Sequence, residues 1–328
     1  MPAILKKREA ALAGLILLLL LSVGLRAPVF LSVGSLTGVL SDSAVLVMMA
    51  LGQMTVLLTR GIDLSVASTL ACAGMAVALL GQAWPGMPVP LTMLLSTLVG
   101  IGLGGINGWL IAGLRIPPIV VTLGTLSVYR GMIYILSRGA WVSSDEMAPQ
   151  FLAFPNLAFL GLTTLVWAAA IVVLLAWLVL GHTAFGRSLY ALGGNPTAAR
   201  YAGVRVQRVE LSAYMISGGI AGFCGYLWVA RYAIASTEVA LGLELTVIAA
   251  CVIGGISIAG GIGSVAGCVL GALFLGIIGN ALPVIQVSPF WQMAISGAII
   301  LIAVVVNARE QRRGGKQILP VESERAAA

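Results

Sequence analysis

Gly181–Arg208 reads GHTAFGRSLYALGGNPTAARYAGVRVQR, the longest polar interruption in a chain otherwise built of apolar runs. It holds the only histidine, His182, and four arginines, Arg187, Arg200, Arg205 and Arg208. Local signals predict a short helix within it. Asn195 suits the N-cap. Pro196 suits the first helical position, where its missing N–H costs nothing. Thr197 to Ala202 can continue the helix, and Gly203 can end it. Such a helix is only about 10 Å long and too short to stand alone in water, so it needs something to dock into. Two readings stand: an ordinary basic connecting loop, or a docking helix for a soluble partner.

Outward from this stretch the chain is apolar in both directions. Of its 328 residues 60% are hydrophobic and 9% charged, with a mean hydropathy of +1.07. That balance excludes an ordinary soluble domain. Several runs are long enough to cross a bilayer, so the fold class is an all-α polytopic membrane protein. Ten spans are expected, at about 11–28, 36–59, 64–83, 90–113, 117–137, 162–180, 210–229, 243–258, 262–280 and 290–307. They form one transmembrane domain over 1–308, followed by a polar tail over 309–328. The Lys6-Lys7-Arg8 cluster precedes an apolar run with no small-residue cleavage site, which reads as an uncleaved first helix. Cys72, Cys224, Cys251 and Cys268 all lie in apolar runs without C-x-x-C spacing, as buried inert thiols do. One histidine and no His/Cys cluster argue against a metal site.

Ten spans place both termini on one side of the membrane. With that side cytoplasmic, 14 of the 18 basic residues are cytoplasmic, and only Arg26, Arg130, Arg138 and Arg231 fall in or near the outer half. Positive residues are retained inside, which accounts for the net charge of +7 without nucleic acid. The second to fifth spans begin outside and the seventh to tenth inside, as an inverted-topology repeat requires. The weak point is 243–280, where Gly254, Gly255, Gly260, Gly261 and Gly263 blur two short spans and a re-entrant element would change the count.

Several places break the apolar pattern. In Arg60–Ser65, Asp63 can cap the next helix and Gly61 permits a turn; the alternative is a broken helix lining a path. Gly100, Gly102, Gly104, Gly105 and Gly108 point to close helix packing, with Asn107 as interhelical glue or pore lining. Arg130 is a charge within a span, which either serves function or snorkels outward. Cys251–Gly271 holds seven glycines in 21 residues, for tight packing or unwound backbone beside a cavity. Asp63, Asn107, Thr122, Thr125 and Ser257 are the polar residues expected to face a translocation pathway, since polar groups in a membrane favour water or protein over lipid. Walker A, G-x-S-x-G and H-E-x-x-H motifs are absent, as are paired intramembrane carboxylates. Catalytic residues are therefore not assigned. An acidic relay for proton or sodium coupling is missing too, so the driving energy is expected to enter through the polar stretch.

Four segments carry a family resemblance: TRGIDLSVAS (Thr59–Ser68), NGWLIAGLRIPPIVVTLGTLSVYRG (Asn107–Gly131), GRSLYALGGNPTAARYAGV (Gly186–Val204) and VIGGISIAGGIGSVAGCVLGALFLG (Val252–Gly276). Together they resemble the permease subunit of bacterial ATP-binding-cassette importers of the ribose, xylose, rhamnose and autoinducer-2 class, with the nearest look to the autoinducer-2 and rhamnose members. The family's usual glycine pair before the Asp stands here as Arg60-Gly61, and its later Gly as Ala67. The resemblance implies a cytoplasmic ATPase that binds ATP and magnesium, a second permease subunit (identical or similar), a periplasmic solute-binding protein and a sugar-like solute in the bacterial inner membrane. It also implies that Gly186, Arg187, Tyr190, Gly193, Asn195, Ala199, Arg200 and Gly203 form the ATPase-coupling segment. Ala199 is expected on a close-packed docking face, with Arg200 presenting its guanidinium to the partner. The rival readings are a self-contained secondary transporter of a small neutral solute and a membrane-embedded enzyme.

Overall fold

The computed structural model describes residues 2–288 together with Trp291, Ala294, Gly297 and Ala298. Its helices are α1 (Pro2–Arg26), α2 (Val33–Leu58), α3 (Val66–Ala83), α4 (Val89–Gly108), α5 (Pro118–Ser137), α6 (Pro149–Ala153), α7 (Thr164–His182), α8 (Ala184–Gly194), α9 (Pro196–Tyr201), α10 (Val206–Tyr232), α11 (Leu243–Ile253) and α12 (Val265–Val284). A π-helical turn, Trp109–Gly113, extends α4. A two-residue hairpin pairs Ala158–Phe159 with Leu162–Thr163 ahead of α7. Among the described residues eight helices are long and apolar enough to cross a membrane: α1 to α5, α7, α10 and α12.

One expected span is corrected. The run drawn at 243–258 holds only the eleven residues of α11, about 16 Å of helix against a hydrocarbon core of about 30 Å. Backbone with positive φ at Gly255, Gly260 and Gly261 turns the chain instead of continuing the helix. The span drawn at 290–307 lies outside the described residues except for Trp291, Ala294, Gly297 and Ala298, which are helical. The tail at 309–328 lies outside them as well.

The bundle is organised about α2 and α10, which pack on each other. On one side α10 packs on α4 and α3, and on the other α2 packs on α12 and α11. The α3–α4 contact is matched by α11–α12. This reciprocity is what two inverted halves produce.

Small residues make these approaches possible. A Cβ added at Gly100 would lie 2.1 Å from the Gly218 carbonyl oxygen, and one at Gly104 would lie 2.2 Å from that of Tyr214. One at Gly222 would lie 2.2 Å from the carbonyl oxygen of Ser96, whose hydroxyl in turn donates to Gly222 O. The glycine stripe of α4 therefore divides. Gly100, Gly104 and Gly108 abut α10, whereas Gly102 faces open space among the described residues. Gly254 and Gly267 meet in the same way between α11 and α12.

At the end of the bundle remote from α8 and α9, the connection 233–242 is held by side-chain and backbone bonds. Arg130 donates to the carbonyls of Thr237 (3.2 Å) and Val239 (2.7 Å). Arg130 sits about 10 Å along the helix from the end of α5, and its guanidinium is satisfied by the backbone of this connection. Val142 and Ala235 exchange backbone hydrogen bonds of 2.9 and 3.0 Å. Tyr226 donates to Phe151 O (3.0 Å), and Arg231 pairs with Asp42 at 3.3 Å.

Candidate functional site

The polar stretch folds into two helices. The α9 helix begins as its sequence dictates: the Asn195 side chain accepts from Thr197 N (3.1 Å) and Ala198 N (3.0 Å), and Gly203 at φ +83° turns the chain after it. Only the second of them is expected from the capping signals. The signal for α8 was present: Phe185, Leu189 and Leu192 recur on one face, and Thr183 accepts from Gly186 N at 3.1 Å as its N-cap.

The eight residues of the implied coupling segment divide between two surfaces. Gly186 and Gly193 are buried against the chain's own body beside Leu189 and Leu192, and so is Ala199, only 3% exposed. Ala199 therefore faces inward and contributes no docking surface. Arg187, Asn195, Arg200 and Gly203 are exposed, and Tyr201, which sequence reasoning did not single out, is 88% exposed. Tyr190 donates to Gly263 O at 3.1 Å. Burial pushes its phenol up to about 12, so the phenol remains a donor at any physiological pH.

The inward surface converges on Gly193. A Cβ there would lie 1.8 Å from Leu58 O and 2.3 Å from Gly261 N. Gly261 N itself donates to Leu58 O at 3.1 Å. The end of α8 thus lies between the end of α2 and the turn joining α11 to α12. Arg60 closes the joint: its Nε donates to Gly193 O (2.7 Å) and one Nη to Gly194 O (2.9 Å).

The five residues expected on a pathway are all buried. Three belong to one network at the α2–α3 break. Asp63 accepts from Ser65 N (2.9 Å) and Ser65 Oγ (2.7 Å). Asn107 donates to Ser65 Oγ (2.8 Å), and Thr122 donates to Ile62 O (3.1 Å). Asp63 thereby fixes the turn just ahead of α3. Burial pushes its carboxyl above the usual carboxylate range, against the pull of the two Ser65 bonds. Thr125 bonds its own helix at Val121 O (3.1 Å), and Ser257 lies apart, in the α11–α12 turn, where its hydroxyl accepts from Ala259 N (3.2 Å). Gln53 and Tyr129 join the network from within apolar runs, Tyr129 by a bond to Asn107 Oδ1 (3.3 Å), and Tyr214 packs beside it. With its amide oriented to match donors and acceptors, Gln53 pairs with both backbone groups of Asp63 at 3.2 and 3.1 Å. Tyr129 donates to Leu103 O at 2.8 Å. The Tyr214 hydroxyl has no partner among the described residues and would lie only 2.5 Å from a Cβ added at Gly61.

This network makes a sharp expectation. Asp63→Asn keeps an acceptor for Ser65, and its amide can donate to Ser217, whose hydroxyl lies 3.5 Å from Asp63 Oδ2; it should purify with near-parental yield. Asp63→Leu leaves buried donors unmade at about 1–3 kcal/mol each and should lower the melting temperature in detergent by several degrees. Equal melting of the two variants would show that the network contributes nothing.

With this geometry in view, the comparisons decide the family. The model of the family described as branched-chain amino acid transport system / permease component matches residues 35–304. The chain belongs to that permease family. It is similar to the autoinducer 2 import system permease protein LsrC of Salmonella typhi, 39% identical over 304 residues, which cover 92% of this chain and 86% of the relative. The LsrC permeases of Salmonella paratyphi B (40% over 282 residues, 85% and 80%) and Escherichia coli O157:H7 (38% over 304 residues, 92% and 87%) are similar to it too. No solved structure matches. The chain is accordingly a permease subunit of an ATP-binding-cassette importer, a multi-pass transport protein of the bacterial inner membrane and not an enzyme. Permeases of this kind work with an ATPase and a solute-binding protein.

Proposed function

We propose that this chain, with a second permease subunit, forms the pathway for a sugar-like solute of the autoinducer-2, rhamnose or ribose kind. The similarity of about 40% to autoinducer 2 permeases over most of both chains carries this reading. It favours a sugar-like solute over the amino acids in the family's description. ATP and its magnesium belong to the partner ATPase, and the termini lie on the cytoplasmic side with α8 and α9.

The α9 helix is the ATPase-docking element. Its supports are a side-chain cap, a length of six residues that cannot stand alone, and exposed Arg200 and Tyr201 on the surface opposite buried Ala199. Asn195 and Gly203 set its two ends, Arg187 meets the membrane surface or acidic groups of the partner, and Gly186, Tyr190 and Gly193 hold the segment to the bundle. The double variant R200E/Y201A should lose co-purification with the ATPase by at least about tenfold, since truncating a buried charged contact costs about 2–5 kcal/mol, while keeping the parental melting temperature. Undiminished association would make the segment a connector. For the solute, uptake into proteoliposomes containing the complete importer should be seen with autoinducer 2 or a pentose and not with leucine. The reverse preference would overturn the sugar reading.

A further inference from the structure

Arg60 is a non-glycine residue whose backbone lies in the left-handed region, at φ +70°. Arginine is disfavoured in that left-handed region, so something must hold it there. Its guanidinium reaches across to the last two carbonyls of α8, Gly193 O and Gly194 O. Those are the C-terminal carbonyls of a helix, where no intrahelical N–H remains for them and the helix dipole favours a cation. The Arg60 stem packs on the other element of the joint: a Cβ added at Gly260 would lie 2.4 Å from Arg60 Cγ. Three residues along, Asp63 anchors the same turn into the buried network of Ser65, Asn107 and Gln53.

We propose that Arg60 is the tether through which movement of α8 and α9 reaches the α2–α3 break, making it a positioning residue for coupling to the ATPase. The inference rests on the reading of α9 as the docking element. A bidentate charged grip on two carbonyls transmits displacement in more than one direction, whereas the glycine contacts around it resist only compression. The tether joins α8 to the first half of the bundle. The bond from Tyr190 to Gly263 O joins it to the second.

R60G is the informative variant, because it removes the guanidinium and relieves the backbone at once, so the fold is retained. In the isolated permease, hydrogen exchange of the amides at 191–195 should quicken by about tenfold in R60G. In the complete importer, co-purification with the ATPase should stay within about twofold of parent. The stimulation of ATP hydrolysis by the cognate binding protein should fall by about tenfold, within the usual range of coupling between sites. R60K, which keeps a donor but not the fork, should recover part of that stimulation, as a purely steric role would not. Parental stimulation in R60G overturns the proposal, whatever happens to exchange. If R200E/Y201A retains the ATPase while R60G still loses stimulation, the docking reading falls and the tether stands, acting through another face of α8.

Discussion

Gly193→Ala should abolish solute uptake, whereas Gly194→Ala, one residue on, should leave it intact. The new methyl at 193 would meet Leu58 O at 1.8 Å and Gly261 N at 2.3 Å, and these are backbone atoms of two separate segments. No side-chain rotation relieves that overlap, so α8 must leave its seat between α2 and the α11–α12 turn. The cost is about 3 kcal/mol or more. At Gly194 a Cβ meets nothing within 4 Å among the described residues. Melting in detergent and uptake in proteoliposomes should fall together for the first variant and for neither measure in the second. If Gly193→Ala transports like the parent, the joint is looser than its contacts imply.

A second pair of substitutions, on α4, carries a similarly large contrast. Gly100→Ala drives a methyl to within 2.1 Å of Gly218 O and 2.7 Å of the backbone of Gly222, so α4 and α10 must separate along their seam. Between membrane helices packing itself is the main attraction, and losing it should remove most of the folded protein from a size-exclusion profile. Gly102→Ala points away from the seam and replaces a poor helix former by the best one. It should melt at or slightly above the parental temperature, with a gain of up to about 1 kcal/mol. Equal destabilisation by both would mean that backbone flexibility of α4, not close approach, is what its glycines provide.

What was legible in the sequence was what is local. Asn195-Pro196 and Gly203 dictate the ends of α9 because capping needs only neighbours three residues away. The polar stretch announced itself by charge against an apolar background. The stripe of five glycines on α4 could be read as packing, but not sorted, because sorting depends on where Gly218 and Gly222 of a distant helix stand. Gln53, Tyr129 and Tyr214 were passed over for the same reason. Each is a single polar group in an apolar run, and each finds its place only when α2, α5 and α10 close around the turn at Asp63. The helix α8 was missed although its period was present, since its polar residues masked that period. The span at 243–258 was drawn from composition, which counts apolar residues but does not see that positive φ at Gly255 ends the helix first.

The shortness of α11 bears on the balance of charge beside it. An eleven-residue helix covers only about half the depth of the hydrocarbon slab, and the rest is bridged by backbone whose carbonyls require polar company. Arg130 supplies two of those partners. The cation that holds this backbone is itself balanced close by, since Glu244 in the first turn of α11 lies within its electrostatic reach, so the flank carries a matched pair of charges and not a lone one.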